Sequence, residues 1–388
     1  LSQGTNGIVI VDNTGATVKT LPITSAQAEL DDSGNIYNLD VLPAPSPSPS
    51  SSAMPTAPPP IVQFYPAGAT TPTGTYSVSA GAPFEYELTS GAGEFAFETA
   101  VSGTGGTVNL ALGVWNPGVT SGTANYTITA TQYGSPAVDM QHDGTLYIGS
   151  ISQSGTYAFS VYPPGSATPS RTIPESIVPA SQQANFAPNY LTVGPDGTLY
   201  VTEYSFVRGD PLAGLYIYPP NGPEKFVATT SDANGAGPDG IDIDAVGNIY
   251  VANNNAGLDP NNSYAEAADT LHDIEVFAPG GASVLRHITG TFDPYPLVVA
   301  PNGTMFFGSF NFGTLTSGTN GTFLVQPGAT TATQVAQFGE TQIVLYNGYA
   351  EAAAWRHRES AQSAAASVIH AGGPAALRAY LKSIHRIP

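Results

Sequence analysis

Oxygen-bearing side chains gather in one stretch of the chain. Asn253, Asn254 and Asn255 are followed by Asp259, Asn261, Asn262, Glu266 and Asp269, and Glu203 closes an apolar run one repeat earlier. Carboxylate and amide oxygens are the ligands of hard cations. Burying such groups without a partner costs roughly 1–3 kcal/mol each, so convergence calls for a cation, a ligand or ordered water. Lys and Arg are too few to neutralise them from within the protein. Glu203, Asn253, Asn255 and Asp259 are therefore the expected metal site, with Ca²⁺ the expected ion. The same residue types are also ordinary turn material, which is the competing reading. Other chemistry is poorly served: there is no Gly-x-Ser-x-Gly elbow, phosphate loop or His-Glu-x-x-His helix. Of the His residues before the tail, His142 sits in a turn, His272 precedes a strand and His287 falls in an expected outer strand. No catalytic residue is assigned.

The elements that must position these residues are short strands. The phrase Asp-Gly-Thr-Leu-Tyr and its variants recur around Gly34, Gly93, Gly144, Gly197, Gly247 and Gly303. An Asp-Gly or Asn-Gly pair between apolar runs signals a hairpin, because both turn residues tolerate positive φ. A second phrase runs out of step with the first: an apolar strand, then a Pro/Gly turn, as in Phe64-Tyr65-Pro66-Ala67-Gly68 and Val161-Tyr162-Pro163-Pro164-Gly165. Proline cannot donate to a ladder, so it belongs at a turn. Alternating phrases at a period of about 50 residues predict four-stranded units stacked as a β-propeller over residues 1–349. Seven blades are expected, with six as the alternative. The last blade joins Ile8–Val11 and Ala16–Leu21 to Gln342–Tyr346, and Tyr349–Trp355 is its remaining strand.

Two segments stand outside the repeat. Residues 43–60, rich in Pro and Ser, suit a solvated polyproline-type insertion. Residues 350–388 are Ala-rich and predict a helical tail, with Leu377, Tyr380, Leu381 and Ile384 on one apolar stripe. The tail holds Arg356, Arg358, Arg378, Lys382 and Arg386, half of the 10 basic residues; it is expected to cover an apolar patch on its own propeller, with an arm docking on a neighbouring subunit or surface, and so self-association, as the alternative. Across the chain 29 acidic residues give a net charge of -19, which argues against nucleic acid and anionic membranes as partners. There is no Cys, hence no disulfide or thiolate site, and no apolar run long enough for a membrane helix. The start, Leu1-Ser2-Gln3, and the low-charge, Ser/Thr/Gly-rich composition suit an exported chain relieved of its leader. Asn-x-Ser/Thr sequences at Asn125, Asn261, Asn302 and Asn320 are candidate glycosylation points.

The segments Gly-Pro-Asp-Gly-Thr-Leu-Tyr-Val-Thr-Glu (194–203) and Asp-Ala-Val-Gly-Asn-Ile-Tyr-Val-Ala-Asn (244–253) resemble NHL-type repeats. They are also similar to the propellers of the regucalcin/gluconolactonase and streptogramin lyase families. The first family implies a divalent metal at the channel mouth held by Glu, Asn and Asp; the second implies a His and a Glu acting with a metal. Glu203 and Asn253 match strand-end positions of that kind, but no second Glu does. Many NHL-type propellers only bind. The expected function is thus a secreted binding or structural module for an extracellular glycan or protein surface. The alternatives are a metal-dependent lactonase or lyase, or a subunit of an extracellular assembly.

Overall fold

The computed structural model describes residues 7–11, 16–21, 27–30, 35–40, 61–77, 88–91, 94–102, 108–116, 119, 122–132, 137–141, 143–151, 156–183, 186–194, 196–205, 210–229, 238, 240–253, 258–259, 262–266, 273–289, 294–300, 302–309, 321–337 and 341–345. The expected insertion (43–60), the expected helical tail (350–388) and Asn255 lie outside the described residues.

Among the described residues every long element is a strand. β1 (Gly7–Val11) pairs antiparallel with β2 (Thr17–Leu21). β3 (Gln27–Leu30), β4 (Ile36–Asp40), β5 (Ile61–Tyr65) and β6 (Gly74–Ser77) form a meander. Blade 1 contains β7 (Leu88–Gly91), β8 (Glu94–Ser102) and β9 (Val108–Trp115); after the short β10 (Gly122–Thr123) it is completed by β11 (Tyr126–Gln132). Blade 2 contains β12 (Ala137–Met140), β13 (Leu146–Ile151), β14 (Tyr157–Tyr162) and β15 (Arg171–Pro174). Blade 3 contains β16 (Phe186–Val193), β17 (Leu199–Ser205), β18 (Gly214–Tyr218) and β19 (Lys225–Ala228). Blade 4 begins with β20 (Gly240–Ile243) and β21 (Ile249–Asn253), then sends out a side hairpin, β22 (Leu258–Asp259) and β23 (Asn262–Glu266). It resumes with β24 (Asp273–Phe277) and β25 (Val284–Thr289). Blade 5 contains β26 (Pro294–Val299), β27 (Met305–Ser309), β28 (Gly321–Val325) and β29 (Thr333–Gln337), and β30 (Thr341–Leu345) pairs in parallel with β1.

The sheets stack as an all-β propeller. The first strand of each packs against the first strand of the next, from β3 through β7, β12, β16 and β20 to β26, while β30 packs against β3. Among the described residues five sheets are four-stranded blades, where the sequence led us to expect seven or six. The other two large sheets depart from the four-strand plan. The meander β3–β6 gains β10 as a fifth, parallel strand, held where Trp115 Nε1 donates to Gly122 O at 3.2 Å. The terminal sheet has three strands in the order β2-β1-β30. The expected union of the two chain ends is present, with Ile8 opposite both Leu21 and Gln342. Its expected remaining strand, Tyr349–Trp355, lies outside the described residues.

The Asp-Gly turns differ from the expected two-residue type. Gly197 has φ 79°; its N–H donates to Gly194 O at 2.9 Å, and Gly194 N donates to Thr198 O at 2.8 Å. Gly144, Gly247 and Gly303 repeat that pattern. This is a three-residue loop closed by a glycine bulge, so a single positive φ is needed rather than two. The acidic residue before the Gly instead supplies an acceptor: Asp196 Oδ1 takes the N–H of Thr198 at 3.0 Å, and Asp143 Oδ1 that of Thr145 at 2.8 Å.

Apolar side chains fill the seams between blades. Tyr157, Phe159, Val161 and Ile173 of blade 2 pack on Leu191, Leu199, Val201 and Tyr216 of blade 3. Tyr200, Leu215 and Ile217 on the opposite face of blade 3 pack on Ile241, Ile249, Val251 and Phe277 of blade 4. Tyr250, Ile274, Val276 and Ile288 then meet Leu297, Met305 and Phe307 of blade 5. Because β side chains alternate between faces, Ile249, Val251 and Asn253 look toward blade 3, as do Asp273, Glu275 and Phe277. That alternation positions the site described next.

Candidate metal centre

At one end of the blade 3–blade 4 seam the apolar packing gives way to four polar side chains. The ladder sets Asn253 opposite Asp273, and Glu275 opposite His287. Directly opposed Cβ atoms on a sheet lie about 4.5–5.5 Å apart, so residues from three adjacent strands meet on one face. The equivalent rows in other blades are different: Ile151, Tyr157, Phe159 and Ile173 in blade 2, and Glu203, Gly214, Tyr216 and Phe226 in blade 3. In blade 5 the row is Ser309, Gly321, Phe323 and Gln334. Blade 4 alone of these has two acids where the others have Tyr, Phe or Gly, and an imidazole where they have Ile173, Phe226 and Gln334.

The geometry is directed. His287 Nδ1 is 2.6 Å from Asp273 Oδ2 and 3.9 Å from Glu275 Oε1. Asn253 Nδ2 donates to Asp273 Oδ1 at 2.8 Å and to Glu275 Oε2 at 3.1 Å. One amide thus holds the far oxygen of each acid and turns the other toward the imidazole. The side chains of Asp273 and Glu275 are 8% and 3% exposed, whereas that of His287 is 44% exposed, so the cluster is closed on the protein side and open at the imidazole. One ligand atom from each of Asp273, Glu275 and His287 lies within 4.8 Å of the others. Two carboxylates and one imidazole form a donor set for a divalent first-row ion. Imidazole suits Zn²⁺ and its neighbours, whereas an all-oxygen cage suits Ca²⁺. The hydrogen bonds from Asn253 are the outer-shell support that metal-binding carboxylates commonly have.

The site residues expected from the sequence are divided. Asn253 belongs to this cluster as its organiser. Glu203 lies in the other seam of blade 3, fully buried; it accepts a hydrogen bond from Tyr157, and its Oε1 lies 3.2 Å from Tyr218 Oη. Burial raises its carboxyl well above the usual range, the charge of Glu175 adds to the rise, and the two tyrosine hydroxyls oppose it. Asp259 lies in the side hairpin as part of β22, and Asn255 is outside the described residues. Asp273, Glu275 and His287 were missed. The loop before β24 is richer in oxygen donors than β24 itself, and His287 falls in an outer strand, so neither stands out by composition. The available signal was the phrase Asp273-Ile274-Glu275-Val276-Phe277, which alternates acid with apolar ahead of Pro279. Other copies read Tyr157-Ala158-Phe159 and Gly321-Thr322-Phe323 there.

A second set of acids lines the inner strands. Asp139 and Asp242 each stand opposite the repeated Tyr of the second strand, Tyr147 and Tyr250. Asp242 Oδ2 accepts the N–H of Val299 at 2.6 Å and so ties blade 4 to blade 5. Burial raises both carboxyls, that of Asp139 to about 7.

No family model matches the chain, and no curated protein matches it. Solved structures similar to it share little sequence identity with it. A 6-phosphogluconolactonase candidate from Bacteroides uniformis is 12% identical with a TM-score of 0.46, over 77% of this chain and 80% of that one. A gluconolactonase from Xanthomonas campestris is 13% identical with a TM-score of 0.37, over 62% and 75% of the two chains. Hydrazine synthase of Kuenenia stuttgartiensis, with unrelated chemistry, is 11% identical with a TM-score of 0.44, over 78% and 95%. Likeness at this level carries no argument about activity.

Proposed function

We propose that this propeller is a divalent-cation-dependent recognition module whose ion sits between Asp273 Oδ2, Glu275 Oε1 and His287 Nδ1. The observation that carries the reading is the convergence of these three donors within 4.8 Å at the end of a seam that is otherwise apolar. A cation there would replace the hydrogen bond between Asp273 and His287 and neutralise two buried acids together. With protein donors on one side, its remaining positions would face solvent beside His287. Vicinal hydroxyls of a glycan, or a carboxylate on a protein surface, are the ligand classes such positions accept. The low-charge, acidic composition supports an exported setting and disfavours polyanions. The donor set favours Zn²⁺ or Mn²⁺ over the Ca²⁺ expected from the sequence. The NHL-type resemblance remains a reading of the repeat phrase.

A second reading rests on the same open side. A cation with free positions can polarise a carbonyl and lower the pKa of bound water, which is lactonase chemistry. Titration of the chelated protein with Zn²⁺, Mn²⁺ and Ca²⁺, followed by calorimetry and thermal melting, tests the site itself. One equivalent of Zn²⁺ or Mn²⁺ should bind native protein, and Glu275→Gln and His287→Ala should each abolish the heat. Absence of heat with all three ions would overturn the site. Hydrolysis of a sugar lactone that stops on chelation and returns with metal would select the second reading; metal binding with no hydrolysis would leave the recognition module.

A further inference from the structure

The Glu203 cluster lies in the blade 2–blade 3 seam and is independent of the proposed metal centre. Tyr157 and Glu175 come from the blade 2 side, Glu203 and Tyr218 from blade 3. Tyr157 donates to Glu203 Oε2, and Tyr218 donates to Glu175 Oε2, so each hydrogen bond crosses the seam. Tyr218 Oη also lies 3.2 Å from Glu203 Oε1. A phenol has one proton to give. If that proton goes to Glu175, the contact with Glu203 is a hydrogen bond only when Glu203 brings a proton of its own. The other partners agree on which acid is ionised. Glu175 Oε1 accepts two backbone N–H groups, from Ile177 at 2.6 Å and Val178 at 2.5 Å, as a carboxylate does. Glu203 is fully buried, and among the described residues its hydrogen-bond partners are the hydroxyls of Tyr157 and Tyr218.

We propose that Glu203 keeps a resident proton and that Glu203, Tyr218 and Glu175 form a proton-linked chain locking blade 2 to blade 3, which opens when Glu203 ionises. Among the described residues the other titratable groups acting on this cluster are Tyr157, Tyr216 and Glu224, and none of them is a cation. Loss of the proton would leave two carboxylates facing Tyr218, whose single proton can serve only one of them, and Glu203 would keep Tyr157 as its one donor with no cation to compensate the second charge. The seam is therefore closed while Glu203 holds its proton and loosens once that proton is lost. Since burial raises the folded-state pKa of Glu203, its stabilisation is complete below the ordinary Glu range and falls as pH rises through the shifted value.

Infrared difference spectroscopy of the full chain reads the proton directly. At about pH 7, where an ordinary Glu is ionised, native protein minus Glu203→Gln should show the carbonyl stretch of a protonated carboxylic acid. Glu175→Gln keeps the acceptor for the two N–H groups and should retain that band. Hydrogen exchange in β17 and β15, corrected for intrinsic rate, should quicken at least about tenfold between about pH 6 and about pH 9 in native protein and stay level in Glu203→Gln. Should Glu203→Gln fail to fold, Tyr218→Phe, which keeps the ring packing but cuts the link between Glu203 and Glu175, should retain the band and show the faster seam exchange already at about pH 6. A native spectrum without the band, or seam exchange with the same pH response in both proteins, would overturn the lock.

Discussion

Asp139 offers the sharpest test of the inner strands. It stands on β12, buried, with Gln141 Nε2 donating to its Oδ2 at 2.9 Å. Burial lifts its pKa from 3.8 to about 7, although hydrogen bonds from the Met140 backbone and Gln141 pull the other way. At 1.36 kcal/mol per unit, that rise corresponds to about 4 kcal/mol. The sign follows from proton counting. Below about pH 4 both folded and unfolded chains hold the proton, and the group costs nothing. Between there and about pH 7 only the folded chain holds it, so stability falls as pH rises; above that it levels off. Asp139→Asn never ionises and its amide oxygen can keep the bond from Gln141. Urea unfolding of the two proteins across this range should therefore give equal stability near pH 4 and a gap in favour of the variant approaching about 4 kcal/mol above pH 7. Asp242 is raised in part by the charge of Asp139, so its own shift should relax in the variant and widen the gap in the same direction. Parallel stability curves with no pH-dependent gap would refute the reasoning.

Other outcomes follow from the packing. Asn253→Ala should leave the three metal donors in place but weaken Zn²⁺ or Mn²⁺ binding about 10–100-fold by calorimetry, because both acids lose the group that turns them. Gly281 has φ 68°, and a Cβ there would stand 2.6 Å from Ile217 Cδ1 across the blade 3–blade 4 seam. Gly281→Ala should cost roughly 1–3 kcal/mol in urea unfolding, whereas Gly68→Ala, with equally positive φ but open space, should cost less. Deleting residues 1–22 removes β1 and β2 and exposes the edge of β30, so melting of the whole propeller should fall by several degrees or become aggregation-limited.

Much of the architecture was legible because its signals are local. Gly197 and Gly247 must bend the chain whatever surrounds them, and Pro163 or Pro279 must interrupt a ladder, so hairpins and their order can be read along the chain. Even the union of Ile8–Val11 with residues near 343 followed from an unpaired hairpin at each end. The turn subtype was not legible, since Asp196 and Gly197 suit either loop length and only the closing bond from Gly194 to Thr198 distinguishes them. Strand complement was likewise a matter of tertiary structure: Gly122–Thr123 joins the preceding sheet through Trp115, a contact that no spacing rule contains.

The functional residues divide along the same line. Glu203 and Asn253 are both strand-end oxygens in consecutive repeats, and the sequence made them equivalent. Alternation across the strand turns each toward the seam with the blade before its own, and the side chains it meets there, from its own blade as well as the neighbour, decide the chemistry. Glu203 meets Tyr157 and Tyr218 in a closed aromatic seam and retains a proton; Asn253 meets Asp273 and Glu275 beside a half-exposed His287 and orients them. Residue type and spacing determined that oxygens would gather at one end of the blades. Register between β21, β24 and β25 decided which of them meet, because opposition across a ladder joins residues that are distant along the chain.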